Sequence, residues 1–156
     1  MIFSTVVKAL RGRRRWLKMK RKYGVDKNNI YVIMMPDSDR EFNEIALRHI
    51  DDFLNYRKGS SVVVLTTDEW VASNASMFSE RIVATEFITM QDYYYYRCYY
   101  CYYYHGFSEQ FIIMSLQGYY GKRLMLTENV NGITKEDMAC LGLYIIRDWK
   151  ETKTYV

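Results

Sequence analysis

Residues 30–66 read IYVIMMPDSDREFNEIALRHIDDFLNYRKGSSVVVLT, and this stretch decides the fold. Ile30–Met35 is a near-continuous apolar run, the pattern of a strand covered by helices on both of its faces. Pro36 stops it. Ser38-Asp39-Arg40-Glu41 then fits a capping box, with Ser38 as N-cap and Glu41 at the third helical position. Phe42, Ile45, Ala46, His49, Ile50, Phe53 and Leu54 recur at the spacing of one helix face. Arg57, Lys58 and Gly59 close the helix, and Ser61–Thr66, rich in β-branched residues, begins a second buried strand.

The same alternation continues outward. A short helix is expected from about Glu69 to Phe78 and a third strand over Ile82–Ile88. Thr89 with Asp92 caps a helix through the tyrosine run, and Gln110–Leu116 forms a fourth strand. Arg123–Thr127 reads as a short edge strand. Thr134 with Asp137 caps a last helix, whose Met138, Leu141 and Ile145 line one face. Strands and helices alternating with short connections imply a small Rossmann-like or flavodoxin-like three-layer α/β domain. Its sheet is parallel, of four to five strands, with helices on both faces and a basic helix in front.

Charge divides the chain. Residues 1–23 hold nine Lys or Arg and no acid, leaving 13 bases against 18 acids in the remainder. Phe3, Val6, Val7, Leu10 and Leu17 give this segment helical spacing, and Gly24 suits its C-terminal stop. We therefore divide the chain into a basic amphipathic arm, 1–24, and one α/β domain, 25–156. Such a helix packs on the domain or a partner, or makes peripheral contact with an anionic membrane. Nucleic acid is disfavoured, because no nucleic-acid-binding motif accompanies the charge. No apolar run is long enough to span a bilayer and the first residues do not form a signal peptide. With an odd count of three cysteines, this points to a cytoplasmic, reducing location.

In an open parallel sheet, ligands bind beyond the strand carboxyl ends, where the strand order reverses. Those ends supply Asp37 and Ser38, then Asp68, and later Ser115, Gln117 and Gly118, with Lys122 in the following loop. They are the candidate site for a small anionic ligand, with helix N-termini at Ser38 and Asp68 offering free N–H groups. The acids there oppose an anion unless a divalent cation intervenes, so Asp37, Asp39 and Asp68, with Glu69, form a candidate Mg²⁺ site. Asp37-Ser38-Asp39 resembles the D-x-D used for metal binding by glycosyltransferases and by haloacid-dehalogenase-type phosphatases. The resemblance spans three residues, and the lysine and acidic pair of the second family have no assignable counterpart. Neither a G-x-G-x-x-G after a strand nor a P-loop occurs, and there is no nucleophile elbow.

Tyr93–Tyr104, YYYYRCYYCYYY, contains nine of the sixteen tyrosines. Sorted by helical position, Tyr94, Cys98, Cys101, Tyr102 and His105 form the expected inward stripe, the small thiols letting the helix approach the sheet. Tyr93, Arg97, Tyr100 and Tyr104 form the outward face, a candidate contact for a homo-oligomer or a protein partner. Cys98-x-x-Cys101 lies mid-helix, away from the helix N-terminus that thiol redox chemistry requires. The two histidines read as boundary residues. Sequence thus supports a non-catalytic accessory domain binding a small anion or a protein. It leaves open a metal-dependent enzyme acting on a phosphate ester or nucleotide-sugar, and an interaction module of a membrane-associated assembly.

Overall fold

The structure is a computed structural model and describes residues 2–24, 29–57, 61–103, 111–116, 125–126 and 134–154. The elements in chain order are α1 (Ile2–Tyr23), β1 (Asn29–Met35), α2 (Arg40–Arg57), β2 (Ser61–Thr66) and α3 (Glu69–Asn74). A 3-10 turn, Ala75–Phe78, leads to β3 (Ile82–Phe87) and α4 (Met90–Tyr103). Then come β4 (Phe111–Ser115), β5 (Met125–Leu126) and α5 (Lys135–Thr154). The strands lie in the order β3-β2-β1-β4-β5. The first four are parallel, so the Rossmann-like three-layer reading holds. β5 is antiparallel to β4, because residues 116–124 are fewer than the roughly dozen that a parallel crossover needs.

Alternate residues of each strand feed two separate cores. Ile30, Val32 and Met34 of β1, with Val62, Val64, Ile112 and Met114, pack against α2, α3 and α5. Tyr31 and Ile33, with Val63, Leu65 and Ile113, pack against α1 and α4. The near-continuous apolar strands are therefore explained by helices on both sides. β3 is an edge strand, and a register shift between Val62 and Val63 leaves Val83 as an extra residue opposite β2. A bulge of this kind bends an edge and blocks a further strand from pairing with it.

α1 is a full layer element. It buries Ala9, Gly12, Trp16 and Met19 against α4 and the sheet. Trp16 meets Tyr31 edge-on, with ring centroids 4.7 Å apart. The helix stops at Gly24, whose φ of 104° is open to glycine and whose N–H donates to the Lys20 carbonyl at 2.9 Å. Gly12 sets the closeness of the α1–α4 crossing. A Cβ built there would stand 2.0 Å from the Tyr95 carbonyl oxygen and 2.8 Å from the Tyr99 Cβ.

The tyrosine helix is rotated relative to the sequence expectation. Tyr93 is 2% exposed, and Tyr96 and Tyr99 are buried with it against the sheet and α1. Tyr94 and Tyr102 instead face outward at 47% and 48% exposure, beside an exposed Cys101 and a half-buried Cys98. Tyr93 is thus corrected from interface to core, while Arg97 and Tyr100 are half-buried. Tyr104 and His105 lie outside the described residues. The reason is physical: with tyrosine on every side, the run has no apolar periodicity to orient it. Specific contacts orient it instead. The Tyr93 hydroxyl donates to the Met114 carbonyl at 2.9 Å, and close approach comes from Gly12 rather than from the thiols.

Candidate functional site

The expected site at the end of β1 is a closed hydrogen-bonded turn. Asn43, 3% exposed, accepts from the Asp37 N–H at 2.8 Å and donates its amide to the Asp37 carbonyl at 2.7 Å. Asp37 itself is buried, and its carboxylate accepts from the Asp39 N–H at 3.2 Å. Asp39, not Ser38, is the N-cap of α2: its Oδ1 accepts from the Glu41 and Phe42 amides at 3.0 and 3.3 Å. Ser38 is exposed, one residue too early to reach them. The other Asp39 oxygen accepts from the Trp149 indole at 3.3 Å, and that ring packs edge-on against Phe42.

β1 and β4 are neighbours, with Met35 opposite Ser115 and the Leu116 N–H donating to the Met35 carbonyl at 2.9 Å. The strand order reverses between them, so Asp37, Ser38 and Ser115 do share one edge of the sheet. Gln117, Gly118 and Lys122 lie outside the described residues. Asp68 follows β2 and caps α3 by accepting from the Val71 amide at 2.9 Å. Among the described residues no three His, Cys, Asp or Glu side chains form a group able to hold a metal ion. The candidate set Asp37, Asp39 and Asp68 is therefore not assembled, because two of its carboxylates face helix amides as caps. Glu69 is exposed in the first turn of α3.

A different strand end carries the open groove. Between the C-terminal half of α1 and the β3–α4 turn lies a cavity of about 600 Å³. Arg14, Arg15, Lys18 and Lys22 line one wall, and Glu86, Phe87, Ile88 and Asp92 line the other. Met19, Ile88 and Tyr96 are buried and give the groove an apolar floor. Spacing produces the cationic wall directly: positions 14, 18 and 22 rise one above the other along one side of a helix.

Both carboxylates of the groove are held by cations. Asp92 accepts from Arg15 Nε at 2.6 Å and also exchanges capping bonds with Thr89 at the start of α4. Burial works to raise the Asp92 carboxyl. The hydrogen bonds from Arg15 and Thr89 outweigh it and hold the group below the usual carboxylate range. Glu86 accepts from Lys22 Nζ at 3.1 Å and from the Tyr23 hydroxyl at 2.6 Å. Burial, reinforced by that bond to Glu86, pushes the Tyr23 phenol well above its ordinary range. Tyr96 is pushed up likewise, first by burial and then by the charges of Asp92 and Glu86. With two acids each paired, Arg14 and Lys18 remain as cationic charge facing the cavity.

Comparison with protein-family models, with curated proteins and with solved structures returns no match. The groove is read from its residues alone. Sequence reasoning allowed this helix to pack on the domain but drew no groove from it. The available signal was the i, i+4, i+8 run Arg14, Lys18, Lys22 on a helix whose opposite side carries Gly12, Trp16 and Met19.

Proposed function

We propose that this chain is a Rossmann-like binding domain for a small anion that carries an apolar or aromatic portion. The observation behind this reading is the groove itself, with four cations against two already paired carboxylates over a floor of Met19, Ile88 and Tyr96. Its volume of about 600 Å³ falls in the size range of small-molecule sites. Guanidinium and ammonium groups recognise a phosphate or carboxylate by charge-assisted hydrogen bonds, and an apolar floor takes up a ring or alkyl group. Binding suits these residues better than turnover. The groove's two carboxylates, Glu86 and Asp92, are each held in an ion pair rather than facing the cavity as a free base.

Thermal unfolding tests the reading with pyrophosphate, phenyl phosphate and adenosine diphosphate as probes. A ligand selective for the native state stabilises by about 2.7 kcal/mol at a hundredfold excess over Kd. We expect a saturable rise in Tm with adenosine diphosphate that exceeds the rise with pyrophosphate, because only the former can use the apolar floor. Arg14→Glu with Lys18→Glu should abolish it while leaving the unliganded Tm close to the parent's, since both side chains are exposed. No shift with any probe, or one that survives the double substitution, contradicts the proposal.

A further inference from the structure

The outward side of α1 carries a second feature, which meets the groove at Arg14 and Lys18. Ala9, Gly12, Trp16 and Met19 point inward, so Leu10, Arg14, Leu17 and Arg21 form the opposite stripe at i, i+4, i+7 and i+11. Leu10 is 45% exposed and Leu17 37% exposed, with Arg13 and Lys18 flanking them.

This composition is costly for the helix alone. Arg11–Arg15, Arg14–Lys18 and Lys18–Lys22 are like-charge i, i+4 pairs, each unfavourable in an isolated helix. α1 contains no acid at all, and of its bases only Lys20, Arg21 and Lys22 lie in the last turn, where the macrodipole favours them. An ordinary solvated face mixes both signs. Packing explains the inner side of α1 and the helix end favours Arg21, which leaves Leu10, Arg13, Arg14 and Leu17 exposed without a stabilising role in the helix.

We infer that the Leu10–Arg21 stripe of α1 docks the domain flat against an anionic phospholipid bilayer. Arginine and lysine at this surface meet lipid phosphates, and the two leucines enter the boundary between headgroups and acyl chains. The leucines are what select a bilayer over nucleic acid, because an aliphatic side chain neither pairs with a phosphate nor stacks on a base. Among the described residues no helix is long and apolar enough to cross a membrane, so the contact is with the surface only.

Vesicle co-sedimentation of the full chain tests this with phosphatidylcholine vesicles and with mixed phosphatidylcholine–phosphatidylglycerol vesicles. The test residues avoid the groove lining, so its outcome is independent of the anion-binding proposal. The parent should bind the mixed vesicles, release with added salt, and ignore the neutral ones. Arg13→Gln with Arg21→Gln should weaken binding about twentyfold or more, from roughly fivefold per cation near a charged surface. Leu10→Ser with Leu17→Ser should weaken it about tenfold while the domain stays folded, with a modest fall in Tm because each leucine is more than half buried. Equal binding to neutral vesicles, no binding to mixed vesicles at low salt, or indifference to the leucine pair would each overturn the inference. So would leucine-independent binding to duplex DNA at matching affinity, which would make the stripe a nucleic-acid contact.

Discussion

The two faces of this sheet are packed by different chemistry. Toward α2, α3 and α5 the core is mostly aliphatic, with Ile45, Leu47, Ile50, Leu54, Met138, Leu141 and Ile145 over Val32 and Val64. Toward α1 and α4 it is aromatic, with Trp16, Tyr31, Tyr93, Tyr96 and Tyr99 over Ile33 and Leu65. The aliphatic face stabilises by area and shape, and its helices need only present the right stripe. The aromatic face buries large rings with polar tips, so it needs a hydroxyl partner at Met114 and a glycine where α1 and α4 cross. It also borders the groove, whose cations come from α1.

This contrast can be broken most strongly at its largest buried ring. Trp16→Ala should cost about 3–5 kcal/mol in urea unfolding, against about 2–4 kcal/mol for Leu54→Ala on the opposite face. A loss under about 1 kcal/mol at Trp16 would mean that α1 is not part of the folded layer.

Gly12→Ala sharpens the comparison because two effects oppose each other there. Helix propensity alone favours alanine by about 1 kcal/mol. The new methyl group, however, would stand 2.0 Å from a backbone oxygen that cannot rotate away, so the helices must separate. We expect a net loss of about 2 kcal/mol, within the range for overpacked sites. A gain in stability would show that the α1–α4 crossing is looser than described.

Tyr93→Phe is a smaller change, about 1 kcal/mol at neutral pH for the lost bond to the Met114 carbonyl. Its pH dependence is more telling. Burial raises the Tyr93 phenol from 10.0 to about 12, with Arg97 and a hydrogen bond to Ser115 opposing the rise. A raised pKa contributes stability that is full below the unfolded value of 10.0 and is lost as pH climbs through the folded value of about 12. The parent should therefore lose stability faster than Tyr93→Phe between those limits, and the gap between them should close. A constant gap would place Tyr93 in solvent.

The aliphatic face was legible in the sequence because its signals are redundant. The α2 stripe repeats over more than three turns, and β1 and β2 are bounded by Pro36 and Gly59. Both Thr–Asp capping boxes form as written, Thr89 with Asp92 and Thr134 with Asp137. The α2 cap moved from Ser38 to Asp39, a one-residue ambiguity inherent in adjacent residues that can both cap. The rotation of α4 was not legible, since tyrosine at almost every position gives each rotation a similar apolar score. Gly12 had no reading either, because the need for it arises from Tyr95, 83 positions away in sequence. Asn43 lies among the apolar residues of α2, and its role depends on the fold of the Asp37 turn. The groove combines these failures. One wall comes from α1, whose packing partner the sequence left open, and Tyr96 of its floor belongs to the helix that sequence could not orient.

We propose the anion site on the aromatic side, at the end of β3, and not at the β1–β4 reversal where open α/β sheets commonly bind ligands. Backbone amide shifts during titration with adenosine diphosphate, followed by proton–nitrogen correlation NMR, separate the two positions most directly. The groove account predicts saturable shifts clustered in residues 14–22 and 86–96, absent in Arg14→Glu with Lys18→Glu. Shifts centred instead on Asp37–Phe42 and Ser115–Leu116, with α1 unmoved, would contradict it and return the site to the reversal point.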